Sequence, residues 1–575
     1  MKNIKLILLF AAVLGLARCE DVDVLDSVPG DSYSDALLYS DMDVIDNLVF
    51  YTYNTTENWG MNFDQWFWVT LSGVENITDE SWFHWPNRSN YTVAYSLTEP
   101  NNMGFFADIW KRDYGYIGTA NNFLSRIDGS PVAESNPDEI DILIGEMIYL
   151  RAHTYARLIK YFGAVPIIKE PFTLNDESFV VSRNTYEECV DFIVSELDRS
   201  IPLLPEGPRF GAEFGRVSRG AAMALKSRVL LYAASPQHDQ GSAEAPRGPL
   251  YDYTKSSKWQ DASDAAKALI VLGEYSLVPV NSADEYHSMF LSPNSELIFA
   301  RPFSPDFPNQ GNNFNTLPDK AHGAVANGGW GISNPTHNFV QDFKMANGLR
   351  IDEPGSGYDS NNIYADREIR FYANFNYQGA TFKGIELEYW SPFGNCSKDL
   401  PGNDGDHFAK TGYNLKKFLD PNIVIDVEQS PNRPYPLARL PEIYLNYAEA
   451  QYHLGNESEA RTYVSLVANR VGLPAITSSG TDLLEDIKYE RQMELFFEQH
   501  RFFDLKRWMS PKLGEDIVGV QWEKRNSAGE LDPNGTLMML GPSLLDDRTF
   551  NKEDYYLPIP FDEVEKAGLE QNYGY

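Results

Sequence analysis

Residues 436–508 read as a helical hairpin followed by a third helix, and that pattern limits what the chain can fold into. Gly455 closes the first helix; Asn456, with the acidic Glu459 at N3, starts the second. Behind that start Ala460, Val464, Val467, Ala468 and Val471 recur at helical spacing, and Gly472 with Pro474 stops the run. The pair spans roughly one 34-residue tetratricopeptide unit. Such a hairpin buries its apolar face only by stacking on neighbours, so further hairpins are expected upstream.

The upstream sequence supplies them. Asn136 as N-cap, Pro137 at the first helical position and Glu139 at N3 begin a long helix that Gly163 ends after Phe162. Ile140, Leu143, Met147, Tyr155, Leu158 and Phe162 give its buried stripe, and residues 110–127 carry the pattern of an antiparallel partner. Thr185 and Glu188 form a capping box, Ser218 caps a further helix, and residues 259–272 read as another. The fold class is therefore mainly α. Between about 301 and 335, and again from 352 to 405, the pattern breaks into Gly, Pro and Asn with scattered aromatics. Loops of that length inside a compact chain carry function more often than they carry nothing.

Formal charge is 48 basic against 82 acidic residues, −34, which excludes nucleic acid as a partner and disfavours polyanionic ligands in general. Lys2 and Lys5 precede an apolar run, Leu6 to Ala17, too short to span a bilayer and laid out as a secretory signal. The run ends in Leu16, Ala17, Arg18 and Cys19, which resembles the lipobox before a lipidated cysteine, although Arg18 stands where a small residue is usual. A plain secretory signal is the alternative. Nine acidic residues between Glu20 and Asp46 then form an acidic tether. Cys189 and Cys396 are the remaining cysteines and imply no disulfide framework.

The signposts Trp110, Tyr114 and Asn121, then Leu150, Arg151, Ala152, Tyr155, Phe162 and Gly163, recur in order with Gly215, Arg216 and Val217. Glu490, Arg491, Glu494, Glu498, Arg501, Asp504, Arg507 and Trp508 follow, and the chain ends on Gln571, Asn572, Gly574 and Tyr575. Together these resemble the SusD/RagB family of surface lipoproteins from glycan-uptake systems. The resemblance implies tetratricopeptide-type repeats plus an irregular ligand-binding subdomain, and docking on a SusC-like TonB-dependent transporter of the outer membrane. Expected divisions are 1–18 signal peptide, 19–46 tether, 47–300 helical-repeat part, 301–430 irregular subdomain and 431–575 C-terminal part.

Glu490, Glu494 and Glu498 are expected on one helical face, with Arg491, Arg501, Asp504 and Arg507 in reach. Paired carboxylates raise the question of a glycosidase, but alternating charges on a repeat scaffold fit a structural ion network better, and no catalytic motif is present. Asp352, Asp359, Asn361 and Asn362 could offer oxygens to calcium, though without the spacing of a known calcium loop. No metal or other cofactor is assigned.

The densest chemical signal is Phe50 to Tyr95, with thirteen aromatics of which five are tryptophans. Trp66, Phe67 and Trp68 sit in an apolar run and read as core. Trp82 and Trp85 stand in a turn-rich polar setting with Asp79, Glu80, Asn87 and Arg88, and read as ligand surface, continued by Tyr91. A flat indole suits the C–H face of a sugar ring. In the irregular part Trp330, flanked by Gly328, Gly329 and Gly331, is the leading aromatic, with glycines that let backbone approach a ligand closely. Trp390 and Phe307 come next. The expected function is non-enzymatic capture of oligo- or polysaccharide by an outer-membrane, cell-surface lipoprotein anchored through Cys19; alternatives are uptake of peptides or another nutrient, and a glycoside hydrolase.

Overall fold

The apolar stripes become one row of helices in the computed structural model, which describes residues 38–55, 74–83, 96–103, 105–172, 181–303, 317–399, 407–425 and 433–575. In chain order the helices include α1 (Met42–Thr52), α2 (Phe105–Arg126), α3 (Pro137–Phe162), α4 (Tyr186–Ser200), α5 (Arg219–Ala234), α6 (Lys258–Leu272) and, outside the row, α7 (Leu317–His322). After them come α8 (Leu440–His453), α9 (Glu457–Arg470), α10 (Thr481–Glu494) and α11 (Arg501–Arg507). Each of α2 to α5 packs on the next, and α6 packs on α8, which packs on α9. The row is therefore continuous in space although residues 273–439 interrupt it in sequence.

Local chemistry sets the helix ends. Thr185 and Glu188 form the reciprocal capping box, and the Ser218 hydroxyl accepts from the Ala221 amide. Gly163, at φ +70° and ψ −144°, ends α3 in a backbone conformation open to glycine. Asn136 departs from its expected role: its side chain makes no cap to α3 but donates to the Val132 carbonyl, closing the short helix Pro131–Ser135 just before it. The Asn136 backbone amide donates to the same carbonyl. The helix α1 begins inside the stretch assigned to the tether, with Ile45 and Val49 fully buried against the repeat core.

The excursion from the row hangs on a stem. Strand β1 (Ser81–Phe83) precedes it; β2 (Leu297–Phe303), β3 (Ser333–Pro335), β4 (Trp390–Ser391) and β5 (Arg433–Arg439) follow, and β6 (Ile517–Arg525) with β7 (Thr536–Asp546) make a late hairpin. β2 pairs antiparallel with β5, from Leu297 opposite Arg439 to Phe303 opposite Arg433, so the chain leaves and returns through one two-stranded ladder. The excursion has its own aromatic core, in which Phe339 stacks on Phe496 with centroids 4.8 Å apart and Phe343 meets Phe375 edge-on at 5.0 Å. Contacts of this kind are worth about 1 kcal/mol each beyond the area they bury. The segment expected as loop from 352 to 405 contains a helix, Ile369–Asn374, and a small hairpin, Thr381–Phe382 with Ile385–Glu386.

A buried ion network joins the excursion to the row. Arg370 bonds to Glu368, Glu490 and Glu494, while Arg439 and Arg470 both reach Glu296 and Glu494. Glu498 does not continue the face of Glu490 and Glu494, because α10 ends at Glu494 and the chain reverses through Phe497 and Gln499 at φ +61° and +62°. The reversal still brings Glu498 to Arg439 at 2.7 Å and Lys417 at 2.6 Å. Burial opposes ionisation of Glu494, yet Arg470, Arg439 and Arg370 hold it well below the usual carboxylate range. These carboxylates are buried and paired with guanidinium groups.

Candidate functional site

Strand β1 obeys the two-residue period of a strand: Ser81 and Phe83 are buried and Trp82 between them is half-buried on the other face. It pairs antiparallel with β3, placing Trp82 opposite Asn334. The segment leading into β1 is pinned from below, since Asp79 makes a two-pronged pair with Arg501 of α11, at 2.8 and 2.6 Å, and Arg548 donates to the Thr78 and Asn76 carbonyls. Asp79 and Glu80, expected beside a ligand, are thus structural. Burial pushes the Glu80 carboxyl well above its usual range.

Asn334 is fully buried and clamps two loops. Its Nδ2 donates to the Gly331 carbonyl at 2.7 Å, and its Oδ1 accepts from the Lys410 amide at 3.0 Å. The first loop carries Trp330, whose amide donates to the Lys320 carbonyl of α7 at 2.6 Å. The Trp330 ring lies near-parallel to His407, centroids 6.0 Å apart, with the Lys320 ammonium 5.0 Å from its face. The second loop places the Lys410 ammonium 6.0 Å from the Trp82 ring. Trp82 and Trp330 are therefore brought into one neighbourhood by a single side chain.

The glycines around Trp330 serve a different purpose from the one expected. A Cβ on Gly329 would stand 2.0 Å from the Gly323 carbonyl oxygen, and one on Gly331 would stand 2.9 Å from Asn414 Nδ2. They let the loop pack against the protein's own backbone, which holds the ring in place. Beside the 407–410 loop lies a small depression lined among others by Tyr389, Ser391, Lys398, Phe408, Lys410 and Trp522. Trp390, between the lining residues Tyr389 and Ser391, does not itself line the depression: only 6% exposed, it lies opposite Trp522 in the parallel β4–β6 pair, and the Lys524 ammonium stands 3.9 Å over its ring.

Trp85, Arg88, Tyr91, Phe307 and Cys19, with Trp66, Phe67 and Trp68, lie outside the described residues. His407, Phe408, Lys410 and Trp522 escaped the sequence reading. Trp522 alone had a signal there, an indole in an alternating strand. At the calcium candidates, Asp359 accepts from the amide and side chain of Asn361 within its own turn, and no group of three or more His, Cys, Asp or Glu gathers for a metal among the described residues. The thiols of Cys189 and Cys396 are both buried. No helix among the described residues is long and apolar enough to cross a membrane.

Two family models cover most of the chain: that of the SusD family matches residues 295–575, and one described as starch-binding, associating with the outer membrane, matches residues 34–231. A SusD-like protein of Bacteroides ovatus is 24% identical over 593 residues, covering 97% of this chain and 96% of its own. Among solved structures, a SusD-like protein of Bacteroides fragilis superposes with a TM-score of 0.73 at 26% identity, covering 94% of this chain and 99% of its own. A second from the same species, described as a SusD-like carbohydrate binding protein, gives 0.74 at 22% identity over 92% of this chain and 98% of its own. With the helical row, the stem-hung excursion and both family models in agreement, the chain belongs to the SusD/RagB family.

Proposed function

We propose that this protein binds glycans without transforming them, at the cell surface, and passes captured oligo- or polysaccharide to a SusC-like TonB-dependent transporter of the outer membrane. The observation that supports the reading is the pairing of Trp82 with Asn334, whose side chain ties the loop of the half-buried Trp330 to Lys410, a residue that lines a small depression with hydrogen-bonding groups. Flat apolar rings flanked by polar side chains suit a sugar, which is apolar on its C–H faces and polar at its rim. The outer-membrane association in the matching family description and the carbohydrate binding of the Bacteroides fragilis relative point the same way. Acylation at Cys19 would supply the anchor, in keeping with the signal-like start of the chain.

Affinity at one site need only be modest, because several chains engaging one polymer retain it through effective concentration. The experiment is calorimetry and affinity electrophoresis against a panel of oligo- and polysaccharides with wild type, Trp82→Ala, Trp330→Ala and the double variant. Each ring is expected to contribute on the order of 1 kcal/mol, so the double variant should bind at least about tenfold more weakly. Undiminished binding by a folded double variant would reject the site, and release of new reducing ends by the wild type would reject the non-enzymatic role.

A further inference from the structure

We propose that Glu80 is a positioning residue of the glycan site, holding strand β1 and Trp82 in place through the chain reversal that follows α10. The inference rests on the glycan-binding reading above and adds to it a side chain that acts on Trp82 without touching the ligand. Glu80 is buried and stands two residues before Trp82. Its backbone carbonyl accepts from the Thr336 amide at 3.2 Å, next to the β1–β3 ladder, so a displaced Glu80 displaces the strand.

The reversal has an unusual backbone for its sequence. Phe497 and Gln499 both stand at positive φ, +61° and +62°, a region that residues with side chains seldom adopt. Backbone persists there where its surroundings over-determine it. Two carboxyl groups from the segment leading into β1 contribute: Glu80 Oε2 accepts from the Phe497 amide at 3.4 Å, and Glu75 Oε1 from the Gln499 amide at 2.9 Å. The bonds act in both directions, shaping the turn and tying the β1 segment to it.

This arrangement works with Glu80 uncharged, because its own segment also brings the buried carboxyls of Glu75 and Asp79. Arg501 of α11 is committed to Asp79, and Lys512 divides between Asp79 at 3.4 Å and Asp342, at the end of the helix His337–Asp342, at 2.5 Å. Among the described residues no cation forms an ion pair with Glu80, and Arg501 acts on it only at longer range. The reversal itself brings Glu498, which is directed to Arg439 and Lys417. From α7 comes His322, whose ring meets Phe497 at 5.8 Å and whose value burial lowers to about 3, so it is neutral. Burial above all, opposed by Arg501 and reinforced by Glu75 and Asp79 as like charges, keeps the Glu80 carboxyl protonated well above the usual range. Once its proton leaves, a further negative charge appears where the nearby cations are already engaged. The Phe497 amide bonds an anion more strongly, but at 3.4 Å that gain does not offset burial and two like charges. The folded value lies above the unfolded one, so the hold on β1 is complete below about pH 4.5 and drains as pH rises toward the folded value.

The test is calorimetry of the full chain with laminarihexaose, xylohexaose and mannohexaose, neutral sugars that do not titrate themselves, between about pH 5 and about pH 9. Wild-type affinity should fall by at least about threefold toward the alkaline end, equivalent to a carboxyl whose pKa differs by about half a unit between free and bound protein. Glu80→Gln keeps the shape of the side chain without its proton, so the ratio of its affinities at the two ends should stay near one. A side chain with a merely structural role would shift affinity at every pH and leave the slope alone. Should Glu80→Gln fold poorly, Glu75→Gln decides: with one like charge fewer, Glu80 ionises more readily, and the fall should begin at lower pH than in wild type. A wild-type affinity that is flat across the range, a Glu80→Gln slope equal to that of wild type, or an unmoved fall in Glu75→Gln overturns the positioning role and leaves the glycan reading standing. If no probe binds at any pH, both fall.

Discussion

Trp82 and Asn334 face each other across the β1–β3 ladder, and the buried Asn334 side chain bonds at once to the Gly331 carbonyl and the Lys410 amide. One amide therefore fixes the relative positions of Trp82, Trp330 and Lys410, which lie far apart in sequence.

Asn334→Ala should consequently loosen the site without touching a ligand. Losing the amide takes one partner from the buried Gly331 carbonyl and one from the half-buried Lys410 amide, at a cost of about 1–3 kcal/mol for a group left buried and unsatisfied. Thermal unfolding should register the loss and calorimetry a several-fold drop in glycan affinity; unchanged affinity would mean the two loops are held by something else.

Gly329→Ala tests the packing role of the glycines. The added methyl meets the Gly323 carbonyl oxygen, which is backbone and cannot rotate away. We expect a cost of about 1–3 kcal/mol and a displaced Trp330. A variant as stable as wild type with full glycan binding would show that the loop simply shifts.

Glu494→Gln removes the charge on which Arg370, Arg439 and Arg470 converge. Breaking a buried pair leaves its partners uncompensated, so urea unfolding should show a loss of about 3–5 kcal/mol. By contrast, Lys566→Ala, which breaks an exposed pair with Asp562, should leave the midpoint where it is. Equal effects would mean the inner network is solvated.

His238 gives a pH signature. Burial lowers its value from 6.5 to about 3, while its ring nitrogen bonds the Tyr251 carbonyl and its face stacks on Tyr186 at 4.1 Å. The folded value lies below the unfolded one, so the unfolded chain takes the proton first as pH falls. The stabilisation is complete above about pH 6.5 and drains toward pH 3 by up to about 1.4 kcal/mol per pH unit. His238→Phe should therefore be less stable than wild type near about pH 7.5, and the gap should narrow by about pH 5. A gap independent of pH would place the imidazole in water.

The sequence by itself determined the elements that depend on neighbours a few residues away. The capping box at Thr185 and Glu188, the stop at Gly163 and the stripe from Ile140 to Phe162 are local, and each appears in the fold where its spacing put it. It also marked Trp82 and Trp330, because an indole among turn residues stands out without any partner being known. Tertiary structure decided the rest. A three-residue strand such as β1 has too short a period to announce its pairing, so nothing before the fold linked Trp82 to Asn334. Glu498 left its expected helical face at a turn through Phe497 and Gln499, where it pairs with Arg439 and Lys417, residues far away in sequence. The lysines over Trp82, Trp330 and Trp390 come from segments that meet only when the excursion folds back on its stem; charge and ring contacts between such segments act through space, and a linear pattern carries no record of them.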